Sequence, residues 1–357
     1  TSGQVLTTMG PTSDPMTSST TNTSMESTTD TPCQEIMVTL QPVKPNTMLV
    51  LDKSGSMRLN SWDHDADPNT MEVTRWYSLW AVVDQILTNF QDKFNFGMNL
   101  FPSKAATQEY NANACVVNQN VEVPVAPMNK AAIIAAMPAQ NDVSFNGGTP
   151  TSKGMTAALN HLKTFNPTDP RVVILVTDGA ANCDVDAMTN TQLFEVYDDD
   201  LLGIVSDAYA VDGIRTYVIG IAIENKTTPA MGDGNPDNIN PYEKLNELAM
   251  AGGTAKPGPE AFYSADNQNE LAAALDAIVN DAFSCVIALE SEPFYPNATK
   301  VKVGNMEIDR ITDCATENGW KYVDPAPPYT AIELCGTACD QLKISGDADI
   351  EYYCEAG

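Results

Sequence analysis

Two runs of consecutive apolar residues, Met48-Leu49-Val50-Leu51 and Val172-Val173-Ile174-Leu175-Val176, constrain the fold of this chain more than any other feature. A strand with one wet face alternates apolar and polar residues, and a strand covered on both faces does not. Both runs therefore read as buried strands, and each leads into an acid: Asp52 directly, and Asp178 after Thr177 and before Gly179. Helix and strand signals alternate around them. Trp76, Leu79, Trp80, Val83, Ile86, Leu87 and Phe90 form one helical stripe, and Phe94 to Phe101 alternates as a strand. A short helix is expected from Lys130 to Met137, a longer one from Thr149 to Phe165, and another from Leu193 to Val211, broken near Asp198-Asp199-Asp200. Thr216 to Ile223 reads as a strand, Tyr242 to Ala251 as a helix, Ala261 to Tyr263 as a short strand and Glu270 to Phe283 as a closing helix. Strand-helix alternation of this kind predicts an α/β fold, a doubly wound and mainly parallel sheet flanked by helices. Ligands of such sheets bind outside the carboxyl ends of the strands, where Asp52 and Asp178 fall.

The chemistry at those ends is that of oxygen donors. Asp52-Lys53-Ser54-Gly55-Ser56 brings a carboxylate and two hydroxyls out of the first strand, and Gly147-Gly148-Thr149-Pro150 offers a third hydroxyl from a Gly/Pro loop. Hard cations such as magnesium take oxygen ligands in octahedral geometry and keep some of their water, so this donor set leaves a ligand position open. Each piece alone has an ordinary structural use, as a helix cap or a turn residue. Taken together and in order, they resemble the metal-ion-dependent adhesion site of von Willebrand factor type A domains, with D-x-S-x-S, a loop threonine and a strand-terminal aspartate followed by glycine. The resemblance spans about residues 46–283 and implies a Rossmann-like fold with metal ligands Asp52, Ser54, Ser56, Thr149 and Asp178.

What the resemblance implies about function is a bound divalent cation, magnesium first and calcium or manganese as alternatives, that accepts a carboxylate oxygen from a protein or other acidic partner. The expected role is extracellular, metal-dependent adhesion or protein binding. The alternative is a structural component of a surface appendage or matrix, with the metal as a folding staple, and a metal-dependent hydrolase comes last. Hydrolysis needs a positioned base. The chain has only His64 and His161, and it carries neither G-x-S-x-G nor a P-loop. The chain is accordingly read as non-enzymatic.

Charge and cysteines set the compartment. Against 19 Lys and Arg stand 47 Asp and Glu, a formal net charge of −28 that opposes nucleic acid and anionic lipid as partners. The eight cysteines, Cys33, Cys115, Cys183, Cys285, Cys314, Cys335, Cys339 and Cys354, form no CxxC pair and have no histidine beside them, which favours disulfides over zinc. Connectivity stays open among on the order of a hundred arrangements; the working set is Cys33–Cys285, Cys115–Cys183, Cys314–Cys335 and Cys339–Cys354. No run approaches the ~20 apolar residues of a membrane span. The absence of an initiator Met and of an apolar signal core reads as a processed or trimmed export product. Oligomeric state is left open.

Three regions follow. Residues 1–32, dense in Thr and Ser without periodicity, read as a disordered stalk that holds the folded part off a cell surface. Residues 46–283 form the α/β domain, and 33–45 with 284–357 a small cysteine-rich β module in which the strand pattern Glu35 to Leu40 pairs with the tail. The acidic insertion Asp63 to Asn69 echoes an EF-hand loop but lacks Gly at its sixth position and has Thr74 at its twelfth. Met231 to Asp237 is a similar acidic turn, and N-x-[ST] sequons begin at Asn22, Asn225 and Asn297.

Overall fold

A computed structural model describes residues 32–353 of the chain, with the side chains of residues 32–37 left aside. The stalk expected at residues 1–32 lies essentially outside this range, as do the side chains of Cys33 and Cys354. The chain enters through β1 (Pro32–Leu40) and β2 (Asn46–Asp52), then a short helix α1 (Gly55–Leu59) and a two-residue hairpin, β3 (Ser61–Trp62) with β4 (Val73–Thr74). There follow α2 (Arg75–Phe90), β5 (Asn95–Phe101), β6 (Val123–Ala126), α3 (Lys130–Ala136), α4 (Thr151–Leu162) and β7 (Arg171–Thr177). Next come α5 (Asn190–Glu195), α6 (Asp200–Ala210), β8 (Arg215–Ile221), α7 (Pro241–Ala251), β9 (Tyr263–Ala265) and α8 (Gln268–Ala282). The tail holds β10 (Val286–Ala288), β11 (Thr299–Val303), β12 (Met306–Ile308), β13 (Gly319–Tyr322), β14 (Ala331–Cys335), α9 (Thr337–Ser345) and β15 (Ala348–Tyr353).

Six strands form one sheet in the order β6-β5-β2-β7-β8-β9, parallel throughout except that β6 runs antiparallel to β5. The period-2 alternation of side chains splits each central strand between two cores. In β2, Leu49 and Leu51 join the core under α2 and α8, while Met48 and Val50 join the core under α4, α6 and α7. β7 divides likewise, with Val172, Ile174 and Val176 on one side and Val173 and Leu175 on the other. This two-sided burial is why neither run carries a polar residue.

The covering helices are apolar on one stripe and capped. Trp76, Leu79, Val82, Val83, Ile86 and Leu87 are buried on α2, whose N-cap Thr74 accepts a hydrogen bond from the Tyr77 amide at 3.1 Å. At α8 the Asn267 side chain accepts from the Glu270 amide at 3.0 Å, while the Glu270 carboxylate accepts from the Asp266 amide at 2.7 Å, satisfying two donors at the helix entrance. The break expected near Asp198 to Asp200 separates α5 from α6.

The expectation of a doubly wound, mainly parallel, Rossmann-like architecture is corrected. Beside the six-stranded sheet stand a four-stranded sheet, β1-β15-β11-β12, a three-stranded one, β10-β14-β13, and the β3-β4 pair, all antiparallel. The protein is therefore a mixed α/β structure with several antiparallel sheets. The physical cause lies in patterns such as Thr299 to Val303, where alternate residues are buried; such strands leave one face wet and pair through hairpins rather than crossover helices. Ile287, Val301, Trp320, Ile332, Leu342 and Ile350 close a separate core there. The tail also contains a helix, α9, where only strands were expected.

Disulfides join Cys115 to Cys183, Cys285 to Cys339 and Cys314 to Cys335. The first and third match the working set. Cys285–Cys339 overturns both Cys33–Cys285 and Cys339–Cys354: β10 lies beside β14, which leads into α9, so Cys339 is carried to Cys285. Among the described residues no helix is long and apolar enough to cross a membrane.

Candidate cation-binding site

Asp52 ends β2 at the centre of the six-stranded sheet and is fully buried. Its Oδ1 accepts the Ser54 amide at 2.7 Å, a turn closed by the aspartate on its own backbone, and its Oδ2 accepts the Thr177 hydroxyl at 2.7 Å from the adjacent end of β7. The turn carries Ser54 and Ser56 outward with their hydroxyl oxygens 2.9 Å apart. Ser56 Oγ donates to Asp178 Oδ1 at 2.6 Å, and Arg75 Nη1 donates to Asp178 Oδ2 at 2.9 Å. Four of the five candidate ligands, Asp52, Ser54, Ser56 and Asp178, thus belong to one hydrogen-bonded cluster.

Thr149 stands on the wall of the same cleft as Ser54 and Ser56. Its amide donates to Asn182 Oδ1 at 2.7 Å, and the preceding Gly147 carbonyl accepts the Gly55 amide at 3.0 Å, so the two loops are clamped together. Glycine is required at both positions before Thr149. Gly147 has φ +131° and a Cβ there would meet Pro102 at 2.5 Å, while a Cβ on Gly148 would meet the Cys183 sulfur at 2.8 Å. The Cys115–Cys183 disulfide lies under this loop, and the Gly148 amide donates to the Ala114 carbonyl at 3.0 Å.

The cleft has a volume of about 400 Å³ and is bordered beyond the hydroxyls by Arg58, Tyr110 and Asp233. Tyr110, stacked on Phe194 at 4.5 Å and hydrogen-bonded to Glu195, is 44% exposed and lines it with an aromatic ring. Lys53 leaves the site entirely. It is buried, with its ammonium 5.1 Å above the Phe145 ring and 3.3 Å from the Asn146 carbonyl.

Two carboxylates in one buried place disfavour their own ionisation. Burial first, and then the charge of Asp178, push Asp52 up to about 7, against the hydrogen bonds from Ser54 and Thr177. Asp178 is also raised, by burial, with the Arg75 guanidinium opposing the shift. With both carboxylates ionised the cluster carries more negative charge than Arg75 offsets, and its hard oxygen donors suit a divalent cation of the magnesium or calcium type. On these grounds the residues fit such an ion.

Other candidates are placed elsewhere. His161 Nε2 accepts the Val125 amide at 3.0 Å and its ring packs on Phe165, a structural role in which burial lowers its pKa. In the acidic insertion, Asp65 accepts from Thr70 at 2.7 Å and Asp67 from the Asn69 amide at 3.0 Å, so these exposed carboxylates close their own loop. The residues that sequence reasoning missed are Arg75, Thr177 and Asn182. Thr177 stands beside Asp178 in the strand run and was open to detection; Arg75 and Asn182 have partners 103 and 33 residues away and no local signature.

No family model matches the chain, and no curated protein matches it. Solved structures do. The pilus adhesin SpaC from Lactobacillus rhamnosus GG is 15% identical over 88% of this chain and 40% of its own, with a TM-score of 0.48. The PilB minor pilin from Streptococcus sanguinis is 17% identical over 67% of this chain and 61% of its own, with a TM-score of 0.40. The adhesive tip pilin GBS104 from Group B Streptococcus agalactiae is 11% identical over 66% of this chain and 98% of its own, with a TM-score of 0.37. This chain therefore spans less than two thirds of the length of SpaC and of PilB. The expected membership of the von Willebrand factor type A family is corrected: no family model matches the chain, and the three structures just described are named as pilus adhesins and minor or tip pilins. The physical reason is that five oxygen donors, on two strand ends and on the loop before α4, specify a site, which unrelated chains can share, and not a family.

Proposed function

We propose that this chain is a non-catalytic component of an extracellular surface appendage or matrix that engages a partner at the cleft above Ser54, Ser56 and Thr149. The disulfides favour an oxidising compartment outside the cell, and the excess of acids favours a medium containing divalent cations. The observation that carries the reading is the buried pair Asp52 and Asp178 beneath hydroxyls that open onto a cleft. Magnesium, calcium or manganese held by Asp52, Ser54, Ser56, Thr149 and Asp178 would offset the excess charge and accept a partner's carboxylate oxygen. Arg58 and Tyr110 add a cation and an aromatic ring to the lining of the cleft, suited to an acidic group carried on a protein surface.

The test measures partner capture from surface extracts and thermal stability, each with and without chelator, for the parent and Asp52→Ala. Adhesion through the cleft is supported if cation promotes capture and Asp52→Ala abolishes it while the fold survives. A staple role is supported if Asp52→Ala or chelator instead lowers the melting temperature. Chelator that changes neither capture nor stability overturns the cation-dependent reading.

A further inference from the structure

Arg75 is the first residue of the 16-residue helix α2. The amino end of a helix carries partial positive charge, so a basic residue there is unfavourable for the helix itself. What holds it is Asp178, whose Oδ2 receives Nη1 at 2.9 Å while the Arg75 side chain is 16% exposed and that of Asp178 is not exposed at all. The grip is through one nitrogen, and Nε is buried without a partner. A two-nitrogen clasp is the stronger arrangement for this pair of groups. Arg75 is therefore paired with a candidate ligand yet weakly fastened to it. Arg75 and Asp178 together line a second hollow of about 310 Å³, whose lining includes Glu224 and Lys226.

Resting on the cation reading above, we propose that Arg75 is the resident counter-ion of the site: it neutralises Asp178 in the absence of metal and gives way into the adjoining hollow when a divalent cation occupies the cluster. The positive charge on Arg75 and the positive charge of the ion compete for one carboxylate. Arg75 thereby sets a threshold concentration, keeping the cluster intact when cation is scarce and yielding it when cation is abundant. Glu224 is the other acid on the lining of the hollow and offers the displaced guanidinium a new partner.

Calorimetric titration of the full chain with calcium and with magnesium tests this at one pH of about 8.5 for every variant, where carboxylates raised by burial are more fully ionised. Relieving a unit positive charge a few ångströms from the ion should tighten binding by about tenfold or more in Arg75→Gln. Arg75→Lys, which keeps the charge, should bind like the parent. In chelator the Gln variant should melt lower than the parent and gain more from added cation. Equal affinity in the parent and Arg75→Gln overturns the counter-ion role and leaves the cation site standing. No binding to either overturns the cation site and the counter-ion role with it. If Arg75→Gln does not fold, the exposed Glu224→Gln decides: cation binding weakened about two- to threefold supports displacement into the hollow, and unchanged affinity overturns it.

Discussion

Replacing Asp52 by Asn tests the electrostatics of the site directly, because the side chain keeps its shape and loses its charge. Asp52 is fully buried, and its folded-state pKa rises from 3.8 to about 7, chiefly through burial and then through Asp178. Over that interval the native chain holds a proton that the unfolded chain has already released. The contribution to stability is therefore complete below about pH 4 and lost progressively as the pH rises to about 7. About three pH units at ~1.4 kcal/mol each make this ~4 kcal/mol. The assay is urea unfolding in chelator at a series of pH values for the parent and Asp52→Asn. Glu122, Asp198 and Asp266 are also raised by burial and bend both curves alike, so the difference between the proteins reports Asp52 together with Asp178, whose charge acts on it. The parent should lose several kcal/mol relative to the variant between pH ~4 and ~7, and added magnesium or calcium should recover much of that loss in the parent alone. Parallel pH profiles would refute the buried-carboxylate argument, and with it the physical basis for a cation there.

Three further outcomes follow from particular contacts. Cys115→Ser with Cys183→Ser opens a loop of 68 residues, for which chain entropy gives ~4 kcal/mol of lost stability by denaturant titration, and amide exchange should quicken in the Gly147 to Thr149 loop above the removed bond. Gly148→Ala places a methyl 2.8 Å from the Cys183 sulfur and 3.0 Å from Asn182 Oδ1; it should cost about 1–3 kcal/mol and weaken cation binding, because Asn182 holds the Thr149 amide. Trp320→Ala, in the separate tail core where Trp320 is 1% exposed, should cost about 3–5 kcal/mol by the same titration and leave cation affinity at the distant cluster unchanged while the chain is folded.

How much of this molecule could be read in advance depends on the range of the interaction that fixes each part. Met48 to Leu51 and Val172 to Val176 announce two-sided burial by composition alone, and the strands they form lie side by side in the centre of the six-stranded sheet. The stripe on α2 is local in the same sense, since its period is its own evidence. The hairpin of β3 and β4 is two residues deep on each side, too short for any period, and helix α9 is nine residues long with few apolar positions and a cysteine in its first turn, so neither had a local signal. Cys285–Cys339 follows from β10 lying beside β14, a tertiary fact that cysteine spacing does not contain. The candidate site divides along the same line. Asp52, Ser54 and Ser56 are neighbours in sequence and legible as a set, whereas their relation to Asp178 depends on β2 and β7 lying next to each other in parallel, which the apolar runs already favoured. Arg75 lay outside that logic. It belongs to a helix read correctly for its buried stripe, and its guanidinium reaches Asp178 only because α2 begins beside the carboxyl end of β7. A charge brought in by packing, unlike a ligand brought in by a motif, becomes visible only when the fold is in hand, and it is this charge that decides whether the oxygens of the cluster are open to a cation or already satisfied.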